Sequence, residues 1–149
     1  TPPNPGRFKL HWHAEQASRR LRIVGTISRL PVVGLVVVHV DALAKPASRR
    51  NRAMATLLPT LATRGVNQVV VESRGRRDDE KDRAVLDGLR RSRRFPQGAA
   101  SLYMNHMPGV EEPGLWVADA ICGAEVRRRL GESIYSETLG DRLEVISTS

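Results

Sequence analysis

Two short runs of branched aliphatic residues constrain the fold more than anything else in the chain. Residues 31–41 read PVVGLVVVHVD and residues 66–72 read VNQVVVE. Runs this short and this continuously apolar have the pattern of strands buried on both faces. Each is followed by a longer stretch whose apolar residues fall at helical spacing. Strands alternating with helices call for an α/β fold, with helices packed on a central β-sheet.

The remaining elements follow from periodicity and punctuation. Residues 1–6 (TPPNPG) form a Pro-rich, linker-like start, and residues 7–149 are expected to make a single α/β domain. Residues 7–12 are extended. A basic amphipathic helix over 15–30 carries Leu21, Val24, Ile27 and Leu30 at three-residue spacing and stops at Pro31. A second helix covers 46–64, with Ser48 as a start signal and Gly65 as a stop. Pro59 inside it predicts a kink or two shorter helices. In the strand at 66–72, Val69 and Val71 take one face, Val70 and Glu72 the other. A mostly polar helix over 78–92, capped by Asp78 or Asp79, has Val85, Leu86 and Leu89 as its buried stripe. A strand over 100–104 leads to Asn105 and His106. Pro113–Arg129 is the most apolar run long enough to be a helix, and a short helix over 133–139 and a strand over 143–147 finish the chain.

Bulk properties exclude several classes. No apolar run approaches the roughly 20 residues of a membrane span, and no signal-peptide pattern opens the chain. One cysteine, Cys122, rules out an internal disulfide framework and fits a reducing cytoplasm. The net charge of +8 favours a polyanionic partner, nucleic acid above all. Of the 24 basic residues only Lys9, Lys45 and Lys81 are lysine, a skew that a GC-rich genome also writes on any surface. Aromatic content of 4% argues against a single-strand binder built on stacking platforms. The G-x-x-x-x-G-K-[ST], G-x-G-x-x-G and G-x-S-x-G signatures are missing, which weakens the nucleotide-hydrolase, dinucleotide and serine-hydrolase readings. Oligomeric state is not legible, and a homodimer is compatible with the chain.

The chemistry-bearing candidates are acids, histidines and arginines. On a 3.6-residue period Asp119 shares a face with Leu115, Cys122 and Val126, so it points where a core should be, and Cys122 reads as a small core residue. A buried carboxylate must be paired, hydrogen-bonded, protonated or metal-bound. Both aliphatic runs end in an acid, Asp41 and Glu72, and strand ends are where α/β folds place ligand-binding groups. If Glu72 and Asp119 meet, an oxygen-seeking divalent cation such as Mg²⁺ or Mn²⁺ would relieve their repulsion. A pair of such ions cuts phosphodiesters by activating water and stabilising the leaving oxygen. The plain alternative for each acid is a cap, a solvent-facing group or an arginine partner. His11, His13 and Glu15 would converge if residues 11–15 were extended, and otherwise are ordinary polar residues at a helix start. His106 is a candidate general base or phosphate contact. Among four arginine clusters, Arg74, Arg76 and Arg77 are preferred for nucleic acid because they adjoin Glu72.

Together, VVVES (69–73), LWVADAICGAEVRRRLG (115–131) and HWHAE (11–15) resemble a bacterial family catalogued as domain-of-unknown-function family 3800. Its hallmark helix reads apolar-apolar-Ala-Asp-x-x-x-Gly-Ala-x-x-Arg-Arg, matched here from Val117-Ala118-Asp119 through Gly123-Ala124 to Arg127-Arg128. The resemblance implies a ribonuclease H-like fold, a mixed β-sheet flanked by helices with acids gathered near its centre for divalent metal. By motif match Asp119 is the helix acid and Glu72 the acid of a central strand, with Asp78 a further ligand. Family members usually open with a strand carrying an Asp, and residues 1–149 contain no such strand. Either it lies outside this sequence, or the site lacks a principal ligand and is degenerate. The implied function is a metal-dependent nuclease-like domain acting on RNA or DNA. The alternative is a non-catalytic nucleic-acid-binding or protein-interaction domain on the same scaffold.

Overall fold

The computed structural model describes residues 12–41, 43–95 and 102–148. In chain order they form a 3₁₀ turn η1 (Trp12–Ala14), α1 (Ala17–Ile27), β1 (Gly34–His39), α2 (Pro46–Thr63), β2 (Gln68–Glu72) and α3 (Arg76–Arg91). There follow β3 (Tyr103–Met107), α4 (Pro113–Arg129), α5 (Ile134–Leu139), a 3₁₀ turn η2 (Gly140–Arg142) and β4 (Leu143–Thr148). This is the expected α/β mixture. In place of the expected single mixed sheet, the described residues form two two-stranded sheets, β1 with β4 and β2 with β3. A strand with one neighbour keeps much of its surface, so neither valine run is buried on both faces. Val36 is buried, but Val70 and Val40 are exposed.

By internal contacts the chain divides into two compact units, Thr1–Val36 with Gly109–Ile146, and Val37–Pro108 with Ser147–Ser149. In the first unit α4 begins and ends at the predicted residues. Pro113 occupies a first-turn position that needs no N–H, the Glu112 carboxylate accepts from the Gly114 amide at 3.0 Å, and Gly131 lies just beyond the helix at φ +94°. The core forms around Trp12, which is fully buried. Its ring meets Tyr135 edge-on at 5.2 Å and lies 5.5 Å from the Arg20 guanidinium carbon. Arg20 also donates from Nε to the Trp12 carbonyl at 3.0 Å. Trp12 packs onto Gly123 so closely that a β-carbon there would stand 2.2 Å from Cδ1 of the indole.

That contact decides which face of α4 is inside. Ala120, Ile121, Gly123, Ala124 and Glu125 are buried, whereas Cys122 and Val126 are exposed. The face expected to be apolar and interior is therefore the more open one, and Cys122 is a surface residue. Small residues at 120, 123 and 124 allow close approach of the indole, and this outweighs the larger but scattered apolar side chains at 115, 122 and 126.

In the second unit, α2 and α3 pack on the parallel pair β2–β3, with Met54, Leu58, Leu86, Leu89 and Leu102 as a core that Val69 and Met104 join. Lys45 precedes Pro46 at the start of α2, so Ser48 lies inside the helix and is not its cap. The helix runs unbroken through Pro59. Register pairs Val69 with Met104, Val71 with His106 and Glu72 with Met107. By strand alternation Val71 and His106 lie on the face of Val69 and Met104, toward α3, and Glu72 lies on the other. His106 is thus a strand residue. It does not lie in a loop past a strand over 100–104, of which residues 100 and 101 fall outside the described residues.

Candidate metal centre

The carboxyl end of the parallel pair carries the densest chemistry in the second unit. Gly75 immediately precedes α3, and its φ of +102° turns the chain sharply after β2. The buried residues of α3 are Asp79, Asp82, Leu86 and Leu89, spaced three, four and three apart. Two acids therefore extend the leucine stripe toward the helix start and face β3. Asp82 is fully buried and Asp79 nearly so. The first-turn acids also suit the helix dipole.

His106 Nε2 lies 3.1 Å from Asp82 Oδ2 and 3.9 Å from Asp79 Oδ1. Asp82 also accepts from Arg50 Nη2 of α2, at 3.1 Å to Oδ2, and from Arg74 Nη2, at 3.1 Å to Oδ1. Asp79 is held by the Ser73 hydroxyl at 2.6 Å and the Arg74 amide at 3.0 Å. The Ser73 hydroxyl is the main reason that the Asp79 carboxyl titrates below the usual aspartate range. The Arg74 amide and the charges of His106 and Arg83 act the same way, and burial opposes them. With a folded-state pKa below the unfolded one, Asp79 stabilises the fold above an ordinary value of about 3.9. That contribution is lost as pH falls through the lower folded value. Asp79→Asn is therefore expected to destabilise the protein at neutral pH, with the gap from wild type narrowing below about pH 4. Urea unfolding across that range checks this, and a gap that stays constant refutes it.

Asp79, Asp82 and His106 could hold a metal ion, because one donor atom from each lies within 4.8 Å of the others. Octahedral bonds near 2.1 Å put neighbouring donors about 3.0 Å apart. The His106–Asp82 spacing already meets that value, whereas Asp79 Oδ1, 3.9 Å from His106 Nε2, would have to draw in by about 0.9 Å. The His106 nitrogen that faces the carboxylates is Nε2, and Nδ1 is buried with no hydrogen-bond partner.

The residues expected from sequence fall in both units. Asp119 is half-buried in the first unit, where Oδ2 accepts from the Trp12 amide at 3.3 Å. Glu72 is half-buried in the second unit, on the strand face opposite His106. Asp78, one residue from the cluster, points outward to Lys81 at 3.7 Å. Asp41 caps the Leu43 amide and pairs with Arg52 at 3.3 Å. His11 lies outside the described residues. His13 sits exposed in η1, and Glu15 pairs with Arg19 at 3.0 Å, so the 3₁₀ turn removes the alternation that convergence of 11, 13 and 15 required. The buried carboxylate of α4 is Glu125, pulled well below the usual carboxylate range first by Arg128 and then by Arg129, against its burial. Those arginines, with Arg127 paired to Glu132 at 3.2 Å, are engaged within their own element and its neighbour. Arg76 pairs with Glu80, and Arg77 is exposed in no ion pair among the described residues.

Asp79 and Asp82 are not among the metal ligands expected from the sequence, which were Asp119, Glu72 and Asp78, although the signal for both is there. Positions 79, 82, 86 and 89 form one helical stripe, and two of its members are acids. An apolar groove of about 450 Å³ in the first unit, between α1 and α4 and lined by Ile23, Ile27 and Trp116, brings no acid or histidine to its walls. Among the described residues no helix is long and apolar enough to cross a membrane. No family model, curated protein or solved structure matches the chain.

Proposed function

We propose that the chain is a metal-dependent nuclease-like domain of ribonuclease H type that hydrolyses phosphodiesters of RNA or DNA. The observation that carries this reading is the convergence of Asp79, Asp82 and His106 in a buried group at the carboxyl end of two parallel strands. These three residues would hold the cation. When bound, the cation supplies Lewis acidity to the phosphoryl group and activates water. An imidazole beside two carboxylates favours Mn²⁺ over Mg²⁺. Arg50 and Arg74, half-exposed beside the group, and the net charge of +8 supply attraction for a phosphate backbone.

The test is cleavage of labelled RNA and DNA by the full-length protein with Mn²⁺ or Mg²⁺. Asp79→Asn should cost more than the roughly 10–100-fold typical of groups that merely support a ligand. Asp119→Asn in the same assay decides whether the helix acid assigned by the family resemblance takes part. Equal activity, or equal inertness, of wild type and Asp79→Asn sinks the proposal. One observation favours a non-catalytic nucleic-acid-binding role instead: Asp82 already has Arg50, Arg74 and His106 as partners, a complete ion network without metal. That reading predicts salt-dependent binding unaffected by metal or by Asp79→Asn.

A further inference from the structure

Asp82 is 1% exposed at its side chain, whereas the arginines that hold it are 37% (Arg50) and 40% (Arg74) exposed. They come from different elements, α2 and the turn before α3, and converge on one carboxylate. Each spends only Nη2 on Asp82. A guanidinium carries five N–H donors in a planar fork, so each of these partly exposed side chains keeps donors that Asp82 does not use. Arg50 Nε is buried without a partner, which leaves that side chain short of an acceptor.

Two carboxylates, Asp79 and Asp82, stand in one group with two guanidiniums, Arg50 and Arg74, so these four charges balance. A divalent cation on the carboxylates would leave an excess of two positive charges, and Arg83, which acts electrostatically on Asp79, adds to it. An excess of that size in a partly buried place is relieved by an anion whose oxygens match the guanidinium fork. We propose that Arg50 and Arg74 form a phosphate-binding fork that is neutralised by Asp82 without metal and released to a nucleic-acid phosphodiester when a divalent cation occupies Asp79, Asp82 and His106. The inference rests on the metal-centre reading above and adds a coupling to it: metal and nucleic acid each tighten the binding of the other, by the same factor.

The experiment measures a fluorescein-labelled phosphorothioate oligonucleotide binding to the full chain at fixed ionic strength, in EDTA and in Mn²⁺. Mn²⁺ binding is followed in parallel by electron paramagnetic resonance. Divalent cations ordinarily compete with arginine for phosphates and weaken such binding. Here Mn²⁺ should instead tighten it about tenfold. Arg50→Gln with Arg74→Gln should keep Mn²⁺ binding and lose the gain. Because that variant leaves Asp82 short of counter-charge and can fail to fold, Arg50→Lys with Arg74→Lys is measured beside it. The lysine pair keeps the charge but not the fork, and most of the gain should disappear. If Mn²⁺ binds and oligonucleotide affinity is unchanged or weaker, the fork is refuted and the metal centre stands. If Mn²⁺ does not bind wild type at all, both fall together.

Discussion

Trp12→Ala is expected to destabilise the first unit by about 3–5 kcal/mol, the range for emptying a large aromatic site in a core. Trp12 is fully buried and contacts Tyr135, Arg20 and the backbone of α4. Its loss removes the apolar burial and leaves a void that the Gly123 surface cannot fill. The converse substitution is as informative. Gly123→Ala puts a methyl 2.2 Å from the indole Cδ1, and the ring is hemmed in by Tyr135 and Arg20. We expect it to cost about 1–3 kcal/mol by overpacking. In the double variant the clash partner is gone, so the two costs should not add. The double should be no less stable than Trp12→Ala alone, a coupling readable by urea unfolding in a double-mutant cycle. Additive costs would show that Gly123 does not seat the indole.

Asp82→Ala is expected to cost about 2–4 kcal/mol, below the upper range for breaking a buried ion pair. The reason for the discount is geometric. Arg50 and Arg74 are more than a third exposed and can turn to water, so the charges left behind are only partly stranded. His106, whose side chain is 3% exposed, is the partner that loses most. The same variant should abolish Mn²⁺ binding, because it removes one of three ligands. Stability and metal binding together separate a structural network from a metal centre. A variant that unfolds more readily and still binds Mn²⁺ through Asp79 and His106 would place Asp82 in the arginine network alone.

The boundaries of α4 were legible because their signals are local: a proline in the first turn, an acid just before it and a glycine beyond the last arginine. The same holds for α5 and β4 to within a residue. Helix α2 overruled the local signal of Pro59, because Met54 and Leu58, in the turns just before it, bury in one core with Leu86 and Leu89 of α3. β3 was misplaced by three residues because YMNHM alternates weakly. Its register is set by pairing with β2, which reading along the chain does not show.

By itself the sequence determined that helices and strands alternate, that the apolar segments are valine-rich strands and leucine-striped helices, and that one helix near the end carries a carboxylate needing a partner. It also determined the 79–82–86–89 stripe, since spacing along a helix is a local property. Only the tertiary structure decided which carboxylates are buried. Gly123 against Trp12 turned Glu125 inward and left Asp119 at the margin, a matter of steric fit between residues far apart in the chain. His106 met Asp79 and Asp82 through the register of β3 on β2, and Arg50 and Arg74 reached the same carboxylate from two elements. Composition and periodicity give charges and faces; convergence depends on long-range contacts that no local spacing contains.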